Sequence, residues 1–163
     1  MDIFQYALER EQASETYYRD LAAACPDVGM RSILTLLADS ELRHQQVVRK
    51  MQAIGEERAQ VDPFLRDVKQ LFVQMRDRGA KPGPGSPPEE VYRKAQAFEK
   101  ESWDMYQKAA QEAPSEAARK VLHRLAAQER VHWHVLDTIV EMVSRPEPGN
   151  WLENAEWFHL TEY

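Results

Sequence analysis

The chain repeats itself at a fixed offset, and that offset limits the folds open to it. Shifted by 88 residues and laid on itself without a gap, the sequence matches Ala7 with Ala95, Glu11 with Glu99, Ser14 with Ser102, Tyr18 with Tyr106, Ala22 with Ala110 and Pro26 with Pro114. The same offset matches Arg31 with Arg119, Leu34 with Leu122, Leu37 with Leu125, Ala38 with Ala126, Glu41 with Glu129, His44 with His132 and Val47 with Val135. One register covering both segments means two copies of a single supersecondary unit. Each copy carries Glu-x6-Tyr and, thirty residues after that Glu, Glu-x-x-His.

Apolar residues recur at helical spacing through each copy, and no period-two pattern competes with them. The first helix is expected over about 2–24, with Phe4, Ala7, Tyr18, Leu21 and Ala22 inward and Pro26 in the turn after it. The second, over about 27–55, buries Ile33, Leu34, Leu37, Ala38, Val48 and Met51, with Glu41 and His44 on the same face. Asp62-Pro63 has the signature of a helix start, for a short segment that Gly79 would close, and KPGPGSPP cannot continue any helix. Ser86, Pro87 and Glu89 would start the third long helix, which runs to about 112 and buries Val91, Ala95, Phe98, Tyr106 and Ala109. Ser115 would cap the fourth, which buries Val121, Leu122, Leu125, Ala126, Val135, Leu136 and Ile139 and ends before Pro146. The expectation is an all-α four-helix bundle over 1–145: two helical hairpins joined by a long crossover, about 56–87, that contains a short helix. Residues 146–163 form an aromatic tail, not a separate domain.

Hairpin geometry brings the repeated polar residues to one level. At about 1.5 Å of rise per residue, positions equally far before and after a tight turn lie side by side. Glu11 and Glu41 are so placed about Pro26, and Glu99 and Glu129 about Pro114. A Glu three residues before a His shares its helix face. Four carboxylates and two imidazoles therefore meet in the bundle interior, at a level where the inner stripes carry no Lys or Arg. Buried unpaired carboxylates cost several kcal/mol each in practice, and two divalent cations would neutralise the set. Ligation by oxygen and imidazole without thiolate suits iron or manganese.

Composition narrows the function further. A formal charge of −6 with no long basic run disfavours nucleic acid or an anionic membrane surface as partner. Cys25 is the sole cysteine, so this chain has neither an internal disulfide nor a four-cysteine metal centre. No apolar stretch approaches a membrane span, and MDIFQYALEREQ lacks the organisation of a signal peptide, so the expected location is the cytoplasm.

The stretches ALEREQASETYYRDLA, LADSELRHQQV, AFEKESWDMYQKAA and LAAQERVHWHV resemble the four helices of the rubrerythrin branch of the ferritin-like superfamily. The resemblance implies Glu11 and Glu99 as single-Glu ligands, Glu41 and Glu129 as bridges, and His44 and His132 as one nitrogen ligand per metal. It implies two iron ions, with manganese the alternative, and reduction of hydrogen peroxide or dioxygen. Tyr18 and Tyr106 resemble the family's tyrosines that hydrogen-bond ligand carboxylates and take part in the chemistry; the alternative from pattern alone is a core role. Three departures matter. No four-cysteine rubredoxin segment is present, so electrons are expected from a donor in trans. The position three after Glu99 is Ser102, where rubrerythrins have a further glutamate, which leaves a symmetric six-ligand set closer to bacterioferritin. Leu42 stands where bacterioferritin has its haem methionine, so haem is not expected. Two other functions compete: a ferroxidase or iron-handling protein, and an interaction protein with a structural dinuclear site.

Ser40 and Gln128 precede the paired glutamates and either orient a ligand histidine or lie at the surface. His123, His134 and His159 lack the repeat and fall off the ligand face, and Trp103 and Trp133 read as packing or interface residues. Cys25 reads as a small buried or half-buried residue, not a nucleophile. Trp151, Trp157, Phe158 and Tyr163 are too apolar for a freely solvated tail, and a homodimer is one way to cover them.

Overall fold

The computed structural model describes residues 3–54, 62–79, 85–144 and 155–160. Among them are five α-helices: α1 (Ile3–Ala24), α2 (Val28–Ile54), α3 (Phe64–Asp77), α4 (Glu89–Gln111) and α5 (Glu116–Ser144), followed by a short 3-10 turn, Glu156–His159. Helix α1 packs on α2 and α4 on α5, the two hairpins meet through α1–α4 and α2–α5, and α3 lies against α2. This is the all-α, ferritin-like bundle that the repeat implies.

Local chemistry sets the helix ends. Asp27 Oδ1 accepts from the Met30 amide at 2.8 Å and so caps α2. The Arg31 side chain ties the same turn by donating to the carbonyls of Cys25 and Pro26. In the second hairpin Ser115 Oγ accepts from the Ala118 amide at 3.0 Å, the expected cap. Gly79 closes α3 with a φ of +61°, where a Cβ would be strained. The start of α4 differs from expectation: the helix begins at Glu89 after an extended Pro88, and the buried Ser86 Oγ has no partner among the described residues. Pro88 stands at the N-cap, where extended backbone is the ordinary conformation, and it makes no side-chain cap hydrogen bond.

Apolar residues fill the bundle in two clusters separated by a polar layer. One cluster gathers Tyr18, Ile33, Leu34, Leu37, Val135, Leu136 and Ile139 with the inner face of α3, which supplies Phe64, Leu65, Val68, Phe72 and Met75. The other holds Ala7, Val48, Met51, Tyr106, Ala110, Val121, Leu122, Leu125 and Ala126. The inward stripes of α2 and α5 lie where periodicity puts them. On α4, Val91, Phe98 and Ala109 are only half-buried, and Tyr92 and Ala110 are buried instead. The cause lies at the seam with α1. Phe98 stands edge-on to Tyr17, with ring centroids 5.5 Å apart, and Tyr17 Oη donates to the Val91 carbonyl at 3.0 Å. Phe4 and Leu21 on α1 are likewise half-buried.

Within the aromatic tail, Trp157 is buried against Phe72 and donates from Nε1 to Thr138 Oγ1 at 2.9 Å. Phe158 is half-buried, while Trp151 and Tyr163 lie outside the described residues. Among the described residues no helix is long and apolar enough to cross a membrane.

Candidate metal centre

The polar layer holds the six repeated Glu and His residues, each no more than 1% exposed. Their donor atoms form two overlapping groups. Glu11, Glu41, His44 and Glu129 make one, and Glu41, Glu99, Glu129 and His132 the other. Glu41 and Glu129 belong to both because their two oxygens face opposite ways. His44 Nδ1 lies 2.8 Å from Glu129 Oε1, 3.3 Å from Glu41 Oε2 and 3.4 Å from Glu11 Oε2. His132 Nδ1 lies 3.2 Å from Glu41 Oε1, 3.4 Å from Glu99 Oε2 and 3.6 Å from Glu129 Oε2. The imidazoles stack at 5.3 Å and 13°, one per group. A two-residue-wide bridge between two positions is what paired Glu-x-x-His helices present when they face each other.

These close approaches are not aligned as hydrogen bonds. Glu41 Oε1 and Oε2, His44 Nδ1 and Nε2, Glu129 Oε1 and His132 Nδ1 are all buried without a hydrogen-bond partner among the described residues. Each such atom costs about 1–3 kcal/mol if left unsatisfied, and here they converge from four helices. Lone pairs of carboxylate and imidazole aimed at a shared point suit a divalent cation that prefers oxygen and nitrogen. The residues present fit a dinuclear metal site.

The electrostatics report the same crowding. Burial pushes the Glu41 carboxyl well above the usual range, and the charges on Glu129, Glu99 and Glu11 add to it. Burial and the Glu129 charge raise Glu99 to about 7. At Glu11 burial acts upward too, but His44 outweighs it and holds the carboxyl below its ordinary value. At Glu129 burial and the Glu11 charge are outweighed by His44 and His132, with the same result. Burial alone would keep both imidazoles neutral; the surrounding carboxylates instead draw His44 and His132 well above the ordinary histidine range. The upward shifts at Glu41, Glu99, His44 and His132 favour proton uptake by the metal-free cluster, which draws its net charge toward zero.

Tyr18 and Tyr106 reach across the hairpin interface. Tyr18 Oη donates to Glu99 Oε1, and Tyr106 Oη donates to Glu11 Oε1 at 2.5 Å. Each phenol thus holds the single glutamate of the other hairpin. Burial first, and the Glu99 or Glu11 charge second, raise both phenols well above their ordinary value, so they remain donors.

Ser40 is fully buried and lies 2.9 Å from His132 Nε2, which selects the orienting role over the surface one. Gln128 is also buried. His123 and His159 are exposed, His134 is half-buried, and none of the three joins the cluster. Trp103 is half-buried, with the Lys100 ammonium 4.9 Å from its ring centroid. Cys25 is buried in the α1–α2 turn. Asp62 is the residue that pattern reading missed. Read as a helix-start residue, it does accept from the Phe64 amide, but it also reaches Ser40 and lies 3.7 Å from His44 Nε2.

No curated protein and no solved structure matches the chain. The rubrerythrin family model matches residues 2–140, which takes in all four long helices, the crossover and all six clustered side chains except for the last turn of α5. On that match and this geometry, the chain belongs to the rubrerythrin family.

Proposed function

We propose that this chain is a non-haem di-iron oxidoreductase that reduces hydrogen peroxide or dioxygen with electrons from a donor in trans. The observation that carries the reading is the pair of overlapping ligand groups, joined by Glu41 and Glu129 and lined by buried, unpartnered oxygen and nitrogen atoms. Two ferrous ions held there would supply one electron each, which suffices for peroxide to water, whereas dioxygen to water takes four.

The chain's own residues do the rest. Glu11 and Glu99 are held by the phenols of Tyr106 and Tyr18, which fixes the carboxylates that complete each group. The apolar clusters on either side keep bulk water from the polar layer. A cavity of about 110 Å³, lined by residues that include Arg43, Lys50, Arg124, Gln128, Asp62 and His44, leads toward one group. At roughly 30 Å³ per water molecule, it has room for about three or four waters, enough to admit a small oxidant.

Stopped-flow mixing of the anaerobic ferrous protein with each oxidant tests the reading. Oxidation of both ferrous ions by one peroxide per chain, with the ferric ions retained, is the expected result. Ferric iron leaving the centre would favour the ferroxidase alternative, and inertness to both oxidants would leave a metal that only braces the fold.

A further inference from the structure

The two histidines are equivalent in the repeat but not in their surroundings. His132 Nε2 lies 2.9 Å from Ser40 Oγ, and Ser40 Oγ donates to Asp62 Oδ2 at 2.6 Å. A serine hydroxyl has one hydrogen. With that hydrogen given to Asp62, the Ser40 oxygen can only accept from His132, so the imidazole proton sits on Nε2. In the neutral imidazole that ligation requires, the Nε2–H is the single N–H kept, so the proton on Nδ1 is the one lost and its lone pair then faces Glu41, Glu99 and Glu129. Asp62 is itself fixed from the other side: its Oδ1 accepts from the Phe64 amide at 2.9 Å and from Arg43 Nε and Nη2 at 2.9 and 2.8 Å.

The second hairpin does not duplicate this relay. Gln128 occupies the repeat position of Ser40, and among the described residues His44 Nε2 makes no hydrogen bond, with Asp62 Oδ2 3.7 Å away. Among the described residues nothing comparable selects a tautomer for His44.

We propose that Asp62, acting through Ser40, is a positioning residue of the metal centre: it holds His132 in the tautomer whose Nδ1 is free to ligate, and so makes the two metal positions unequal. The inference rests on the metal-centre reading. The crossover, through a residue two positions before α3, thereby takes part in building a site whose ligands all lie on the four long helices.

Two substitutions separate the relay from the fold. Ser40→Ala removes the relay and leaves the α3 cap and the Arg43 pair in place. Asp62→Asn goes further. Phe64 N–H and Arg43 both require an oxygen at the Oδ1 position, so the new amide nitrogen must face Ser40 and donate to it. The serine hydrogen is then turned toward His132 Nε2, which favours the Nδ1–H tautomer that cannot ligate. Zinc, a diamagnetic probe, is titrated into the unmodified chain and both variants, with circular dichroism to verify folding and 15N-histidine NMR to read the tautomer.

The unmodified chain should bind two zinc ions with unequal affinity, and His132 should show a hydrogen-bonded Nε2–H. Ser40→Ala should weaken one ion roughly 10–100-fold, the usual effect of removing a partner behind a ligand, and Asp62→Asn should weaken the same ion at least as much. If folded Ser40→Ala binds both ions as the unmodified chain does, or if zinc-bound His132 lacks the Nε2–H, the relay is overturned while the metal centre stands. If the unmodified chain binds no zinc, the metal-centre reading falls and the relay with it.

Discussion

Loading the metal-free chain with two divalent ions at about pH 6 should release about four protons per chain, because ligation requires ionised carboxylates and neutral imidazoles. The count comes from the site. Glu41 and Glu99 are raised by burial and by neighbouring carboxylates, so they hold protons there; His44 and His132, drawn upward by Glu129 and Glu99 respectively, hold two more. Glu11 and Glu129 are already ionised, held low by their histidine partners. The overall binding constant for the pair of ions should therefore rise by about four decades per pH unit near pH 6, and more gently above 7 as Glu99 ionises unaided. Calorimetric titration in buffers of different ionisation enthalpy counts the protons directly. The sign for stability also follows. Four groups bind protons more tightly in the folded than in the unfolded chain, so their contribution is full at acid pH and is lost as pH rises through the folded values. The depressed Glu11 and Glu129 act oppositely, contributing above the ordinary Glu value and losing it as pH falls. The melting temperature of the metal-free chain should thus fall between about pH 6 and 8, while metal-loaded protein gains over the same range. Release of one proton or none at pH 6 would refute this account of how the cluster is neutralised.

Glu41→Ala and Glu129→Ala should each lose more metal than His123→Ala or His134→Ala, since each bridge serves both groups and the latter histidines serve neither; elemental analysis after reconstitution reads the difference. Tyr18→Phe and Tyr106→Phe each remove one hydrogen bond, worth about 0.5–1.5 kcal/mol, so both should keep their metal while the rate of ferrous oxidation changes in stopped flow. Unchanged rates in both would leave the tyrosines a purely structural role. Trp157→Ala removes a side chain that is 1% exposed, at a cost of roughly 3–5 kcal/mol. Its melting temperature should drop by roughly 10 °C, and no drop would mean that the tail adds nothing to the bundle.

What was legible in the sequence was whatever the repeat encodes. Glu11 with Tyr18 and Glu41 with His44, matched at one offset by Glu99, Tyr106, Glu129 and His132, carry their own register within each hairpin. Helix periodicity then placed them on inner faces, and the helix bounds fell within a few residues of those expected. The crossover carries no such register. Where α3 docks depends on long-range packing of Phe64, Leu65, Val68 and Phe72 into the bundle, so nothing local showed that Asp62 would meet Ser40. Phe98 and Val91 were misplaced for a related reason. Their positions on α4 suited a core stripe, but only the meeting with Tyr17 on the facing hairpin shows that they close a seam.

The central claim is that Glu11, Glu41, His44, Glu99, Glu129 and His132 hold a pair of metal ions. Anaerobic titration of the metal-free chain with ferrous iron tests it most directly, followed by elemental analysis after removal of unbound ion. Saturation at about two ions per chain, falling in Glu41→Ala and Glu129→Ala alike, is the result predicted for two oxygen-rich positions sharing two bridges. Retention of less than one ion per chain, or retention indifferent to both substitutions, would contradict it.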